Sequence, residues 1–312
     1  ILDMTLRHEG PESAAIARHW LARQRDAFLA FRDLAGRLVG FMAMLRLEAA
    51  TDEDRRVDPA VGAALDYLRD HGPVRPGERV AHGRFWMDRD AYQSARSTMN
   101  VLAANSSACW TSLPGLAWCL CTMADPAHFA PMFESIHLWR APQADFEVGG
   151  RRYGVFAHDW RVEPVAQWMM TKVDRASCVD AAPAPEPPLP LLVLSEAGFA
   201  DAVRQALRDY ARGDDALAAN PLLRTRLLLG ADGAPRGPQA LRALLREAVQ
   251  SLDGTPRDRK LHRAVWHTHF EPAPTQERAA ERLDLPFNTY RYQLTRGTER
   301  ITEWLWRREI GG

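Results

Sequence analysis

Along the first half of the chain the apolar positions switch between the strand period of two and a helical period of about 3.6. Along the second half they keep the helical period. A helical face runs over residues 14–21. The segments "AFLAFRD" and "RLVGFMAMLRL", joined through Leu34-Ala35-Gly36, predict a hairpin over 27–47. "DPAVGAALDYLRDHG" predicts a helix with Asp58 as its cap, proline at its first position and Gly72 as its stop. "ERVAHGRFWM" predicts a strand, "DAYQSARSTMNVLAANS" a helix, and the bounded apolar run "GLAWCLCTM" a buried strand. "PAHFAPMFESIHLW" is helical, and "ADFEVGGRRYGVFAHDW" predicts a second hairpin turning at Gly149-Gly150. This order of elements describes a mixed α/β sheet. The proline-rich "DAAPAPEPPLPLL" forbids both helix and central strand, and it predicts an extended linker over 179–192. Helices are then expected over 195–212, 215–228, 238–252, 256–270, 275–283 and 287–308. The reading is an α/β domain over 1–178 and an all-α domain over 193–312.

Composition narrows the function classes. The chain has 312 residues with 46% apolar content, enough for two separate cores. Its 40 basic and 40 acidic residues cancel, so any nucleic-acid contact must be local. The four cysteines form no CxxC pair and no histidines stand at zinc spacing, so no metal site is expected, and packed thiols in a cytoplasmic setting are. No apolar run is long enough to span a bilayer, and no membrane partner is expected. The chain opens on Ile1-Leu2-Asp3 rather than Met, which suggests sequence upstream.

The order of elements, the hairpin "FRDLAGRLVGFMAM", the strand ending "RFWM" and the closing "FEVGGRRYGVFAHDW" together resemble the GNAT superfamily of N-acetyltransferases over roughly residues 1–170. The resemblance implies an acyltransferase-like fold. It also implies a coenzyme A pyrophosphate held by the turn that opens the helix after "RFWM". The implied cofactor-binding residues are Phe85, Met87, Gln93, Ser94, Ala95, Arg96, Ser97 and Thr98, and the implied ligand is acetyl-CoA or another acyl-CoA. The chain departs from the family pattern twice. Arg96 and Thr98 stand where the family carries small residues, and Phe133 stands where it carries a proton-donating tyrosine. The candidate general bases are Glu78, His82 and Asp159, each with a bland reading: Glu78 a solvated loop charge, His82 pointing outward from its strand, Asp159 a turn cap. Phe85, Trp86, Met87, Trp110, Trp118, Met132, Phe133 and Trp139 form either an apolar ligand pocket or simply core. "HDWRVEPVAQW" either clamps the linker or closes a pocket.

The stretch "PTQERAAERLDLPFNTYRYQLTRGTERITEWL" sets a Thr275 N-cap, an Ala279/Ala280/Leu283 stripe, a break at Asp284-Leu285-Pro286 and a long amphipathic helix from Phe287. It resembles the helix-turn-helix of sigma-70 region 4 and LuxR-type regulators. The resemblance implies double-stranded DNA as partner, with Asn288, Thr289, Arg291, Tyr292 and Gln293 at base edges and Thr275, Arg296 and Arg300 nearer phosphates. Asn288 is expected to cap the second helix. The combined expectation is a DNA-binding regulatory protein whose acetyltransferase-like domain senses a ligand, or joins a protein partner or a second copy, without ordinary catalysis. Two alternatives stay open: an active acyl-CoA-dependent N-acyltransferase with an unusual CoA-binding turn, and a fragment of a larger ATPase-type regulator.

Overall fold

The computed structural model describes residues 1–94, 97–170, 191–230 and 236–311. The chain divides into two compact units, Ile1–Leu189 and Pro190–Gly312. The proline-rich stretch that predicts the linker lies almost wholly outside the described residues.

The first unit begins with α1 (Leu2–Arg23), longer than the predicted helix because two segments join across a kink at Gly10 and Pro11. The hairpin strands are β1 (Phe28–Arg32) and β2 (Leu38–Arg46). A short helix that the apolar pattern does not show, α2 (Asp52–Val57), starts at a reciprocal cap between Thr51 and Asp54. Asp54 also accepts from His19 and Arg23 of α1. Burial raises its pKa, but the bonds from Arg23, Thr51 and His19 outweigh that and hold the carboxyl below the usual range. Helix α3 (Pro59–His71) follows, capped by Asp58 and stopped at Gly72, and then strand β3 (Arg79–Asp88).

Helix α4 (Ser97–Ser112) opens later than the sequence suggests. Asp88 Oδ1 accepts the backbone N–H groups of Asp90 and Ala91, and Tyr92 has φ +54°, so the segment from Asp88 is a turn. The unit continues with β4 (Leu116–Met123), α5 (Pro126–Ser135), the two-residue strand β5 (Trp139–Arg140), β6 (Phe146–Val148) and β7 (Arg151–Asp159).

The sheet runs β1-β2-β3-β4-β7-β5, with β6 paired to β7. Strands β3 and β4 are parallel and the other pairs are antiparallel. The β3–β4 ladder stops at Gly83 and Cys121, whereas β2 follows β3 to Asp88 and β7 follows β4 to Met123. The two central strands therefore part beyond Gly83. A register shift between Ala43 and Met44 of β2 leaves Arg84 of β3 as an extra residue. The extra residue resets the alternation: Val80 faces one layer before it, and Phe85 and Met87 face that layer after it. Phe41, Ala43 and Leu45 pack there with Ile16, Ala17 and Trp20 of α1 and Val61, Ala64 and Leu68 of α3. On the other face Met42, Trp86, Cys119 and Cys121 pack with Leu102 and Trp110 of α4 and Phe133 of α5. Both layers bury the sheet, which explains the near-continuous apolar run of β4.

The second unit is helical: α6 (Glu196–Asp209), α7 (Asp214–Leu217), α8 (Pro238–Gln250), α9 (Pro256–Val265) continuing into a π-turn at Trp266–Phe270, α10 (Gln276–Arg282) and α11 (Phe287–Gly311). The helix expected over 215–228 is replaced after α7 by tight turns. Pro221 cannot continue a helix, and the Asn220 side chain caps the turn that it begins. Phe199, Val203 and Leu207 of α6, Leu241 and Leu245 of α8, and Ile301 and Leu305 of α11 form the unit's main core.

Candidate ligand and nucleic-acid sites

Of the residues implied to bind coenzyme A, Gln93 and Ser94 line a hollow of about 480 Å³, together with Ala91, Tyr92, Ala124, Asp125, His128 and Phe129. Gln93 is buried and its side-chain oxygen accepts from the Ala124 N–H at 2.9 Å, tying the turn to the end of β4. Ala95 and Arg96 lie outside the described residues, and Ser97 opens α4. The Thr98 methyl lies against Gly40 of β2, where a Cβ on that glycine would meet it at 2.6 Å. Thr98 is thus a packing residue rather than part of the hollow. The side chains of Phe85 and Met87 are fully buried, and Phe85 packs against Phe28 and Phe41. At the other wall the Asp125 carboxylate already accepts from the His128 N–H at the N-terminus of α5, which places negative charge where a phosphate would need positive potential. Phe133 stacks on Phe156 at 4.6 Å in the core.

The three candidate bases do not converge. Arg161 binds Glu78 at 2.8 Å and Asp159 at 2.8 Å, and it donates to the carbonyls of Gly72 and Pro73. The segment "HDWRVEPVAQW" is therefore a clamp that joins the exit of β7 to the end of α3 and the entry of β3. His82 does not point outward: it is fully buried, and its Nε2 meets Thr122 Oγ1 at 2.8 Å. Burial, and after it the Arg84 charge, pushes its pKa down to about 3, so it is a neutral imidazole in the core. The aromatic set is mostly core as well. Trp86 donates to the Gly83 carbonyl at 3.0 Å just where β3 and β4 part, and Met132 is exposed.

A polar cluster that the sequence reading missed lies under this sheet. Arg84 is fully buried; its Nε donates to both Asp58 oxygens at 3.1 and 3.0 Å, and Trp20 Nε1 donates to Asp58 at 2.9 Å. The guanidinium lies over Phe85 at 4.4 Å and Phe146 at 4.8 Å. The available signal was one arginine inside the apolar run "HGRFW".

In the second unit α10 and α11 meet at a tight turn. Asp284 has φ +53°, Thr275 caps α10, and Tyr290 packs with Ala264, Ala279, Ala280 and Leu283. Asn288 does not cap α11. The Pro286 carbonyl accepts the first helical bond from Tyr290, so Asn288 is already inside the helix. Thr289, Tyr292, Gln293, Arg296 and Arg300 share one face of α11 and, with Asp258, Lys260 and Leu261 of α9, line a groove of about 560 Å³. Gln293 lies at its floor, 8% exposed, and its side-chain oxygen has no partner among the described residues. Asn288 and Arg291 are exposed but do not line the groove, and Thr275 is exposed at the start of α10. Arg296 pairs with Glu299 at 2.7 Å and Arg300 with Glu303 at 3.6 Å, exposed contacts that are easily exchanged.

No group of three or more His, Cys, Asp or Glu among the described residues could hold a metal ion. No helix among them is long and apolar enough to cross a membrane. No protein-family model matches the chain, and no curated protein matches its sequence.

Proposed function

We propose that the chain is a DNA-binding regulatory protein with a helix-turn-helix in its second unit and a non-catalytic, acetyltransferase-like sensing module in its first. The observation that carries the DNA reading is the stripe Thr289, Tyr292, Arg296 and Arg300 on α11, beside Lys260 of α9 and just after the tight turn at Asp284. Arginine, threonine and tyrosine on one exposed face suit phosphate and base contacts. Strand order in the first unit supports the acetyltransferase resemblance, as do the parallel pair β3–β4 and its parting beyond Gly83. Acyl transfer is disfavoured because Glu78 and Asp159 are held by Arg161, His82 is sealed in the core, and Phe133 has no proton to give.

Selection from a random duplex pool followed by fluorescence anisotropy tests the reading. The full chain should enrich a sequence and bind it with an affinity that falls as salt rises. Arg296→Ala should lower the salt slope by about 0.9 for each phosphate that is no longer neutralised. A pool that stays random, with weak binding unmoved by Arg296→Ala and Arg300→Ala, would remove the DNA reading.

A further inference from the structure

The second unit also carries a hollow of about 660 Å³ between α6 and α11. The two helices run antiparallel: Phe199 at the start of α6 meets Trp306 near the end of α11 at 5.0 Å, and Leu207 and Leu294 line the hollow towards the other end. Ala200, Leu207 and Leu294 make its apolar lining. At the Leu207 end two further elements contribute. His269 of the π-turn lies within the field of Arg208, and α10, which packs against Leu294, adds Gln276 from its first position. Irregular π-turns in helices are frequent at functional sites.

The charges and donors of this lining are unevenly engaged. Arg204 pairs with Asp201, Glu299 with Arg296 and Glu303 with Arg300. Burial, and after it the Arg208 charge, pushes the His269 pKa down to about 4, so the imidazole is neutral near pH 7. Arg208 has no ion pair or hydrogen bond among the described residues. Taken with its ion-pair partners, the lining therefore carries one uncompensated charge, and it is positive. Thr298 and Thr302 donate their hydroxyl protons to the carbonyls of Leu294 and Thr298, within α11 itself. The donors left over are Arg208, the Gln276 amide, the Thr295 hydroxyl and one N–H of neutral His269, and all belong to the π-turn end.

We propose that this hollow binds a small apolar monocarboxylate, its carboxylate on Arg208 at the π-turn end and its hydrocarbon or aromatic body along Leu207, Leu294 and Ala200. The free guanidinium offers the two-pronged fork of N–H groups that fits one carboxylate. A second anionic group further along would meet Glu299 and Glu303, and an ammonium group would meet Arg208. Ala200 to Arg208 spans about 12 Å along α6, and the volume is that of a small-molecule pocket. Leu294, Thr298 and Thr302 stand on the far side of α11 from Thr289, Arg296 and Arg300. Binding is thus read without DNA, and neither experiment decides the other.

The test is isothermal titration of the full chain with acetate, hexanoate, phenylacetate and 3-phenylpropionate, with 3-phenylpropionamide and 3-phenylpropylamine as the neutral and cationic counterparts. At least one of the three larger acids should titrate saturably and more tightly than acetate, and the amide and the amine should each bind at least about tenfold more weakly than 3-phenylpropionate. Arg208→Gln removes an exposed, unpaired charge and should weaken the acid about tenfold or more, and Thr298→Phe should abolish binding by filling the hollow. Tm of the ligand-free variants reports whether they still fold. No saturable binding of any acid would overturn the proposal. The amine or the amide binding as tightly as the acid would overturn the assignment of Arg208 as the carboxylate anchor. Affinity unchanged in folded Arg208→Gln and Thr298→Phe would place the acid elsewhere and overturn the site.

Discussion

Arg84 and His82 sit two residues apart on β3, and burial treats them in opposite ways. Arginine cannot give up its proton, so the chain must keep Asp58 beside it. Asp58→Asn retains a capping oxygen for α3 but strands the guanidinium, and should cost about 3–5 kcal/mol in urea unfolding. Adding Arg84→Met to that variant should recover most of the loss, because the surrounding Phe85, Phe146 and Tyr153 rings accept an apolar chain. Histidine can shed its proton, and His82 does. Its pKa falls from 6.5 to about 3, so below pH 6.5 the unfolded chain takes up a proton that the folded chain refuses. Stability should therefore fall as pH drops from 6.5 towards 3, by about 1.4 kcal/mol per unit from this group. Urea midpoints of His82→Gln between pH 7 and 5 should show a shallower slope than those of the parent protein. Equal slopes would mean that His82 is protonated in the folded state. Neither partner was legible in the sequence, because a residue's burial depends on what packs over its strand.

At the scale of elements, sequence cues were strong at several caps, stops and turns. Asp58 and Gly72 bound α3, Gly149-Gly150 turn the last hairpin, and Asp284-Leu285-Pro286 separate α10 from α11. Two features of the helical unit have measurable consequences. Asp284 holds a left-handed conformation, so Asp284→Gly should be neutral or slightly stabilising and Asp284→Val should cost about 1–2 kcal/mol. Gly297 lets α11 cross α9 closely: an added Cβ would meet Val265 Cγ2 at 2.7 Å and the Leu261 carbonyl at 3.2 Å. Gly297→Ala should therefore cost about 1–3 kcal/mol in thermal or denaturant unfolding. The reading failed where two local patterns compete for the same residues. The turn before α4 depends on Asp88 folding back onto Asp90 and Ala91, with Tyr92 bridging to Asp88, and a helical period fits the same letters equally well.

For the whole molecule, a formal net charge of zero means that any DNA affinity comes from a local surface. That gives a direct discrimination. Lys260→Glu, on the groove of α9 and α11, should weaken duplex binding and lower the salt slope, whereas Arg56→Glu, exposed in the first unit, changes net charge identically and should leave binding unchanged. Equal losses in both variants would point to bulk charge instead of the groove. The cores have a similar locality: Phe41 and Trp20 belong to one unit and Phe199 and Leu305 to the other.

What the sequence determined by itself is most of the succession of helices and strands, α2 and the turns over 218–228 apart, and the change from mixed α/β to all-helical character between the two units, because periodicity, caps and breakers act within a few residues. Tertiary structure alone decided which side chains meet. The one-residue bulge at Arg84 set which layer the Phe85 and Met87 side chains pack in. The packing of α9 against α11 put Gln293 on a groove floor instead of an open face. The Arg161 clamp took Glu78 and Asp159 out of contention as bases, although 81 residues separate them in the chain (159 − 78). These outcomes rest on contacts between residues distant in sequence, whose partners no local pattern specifies.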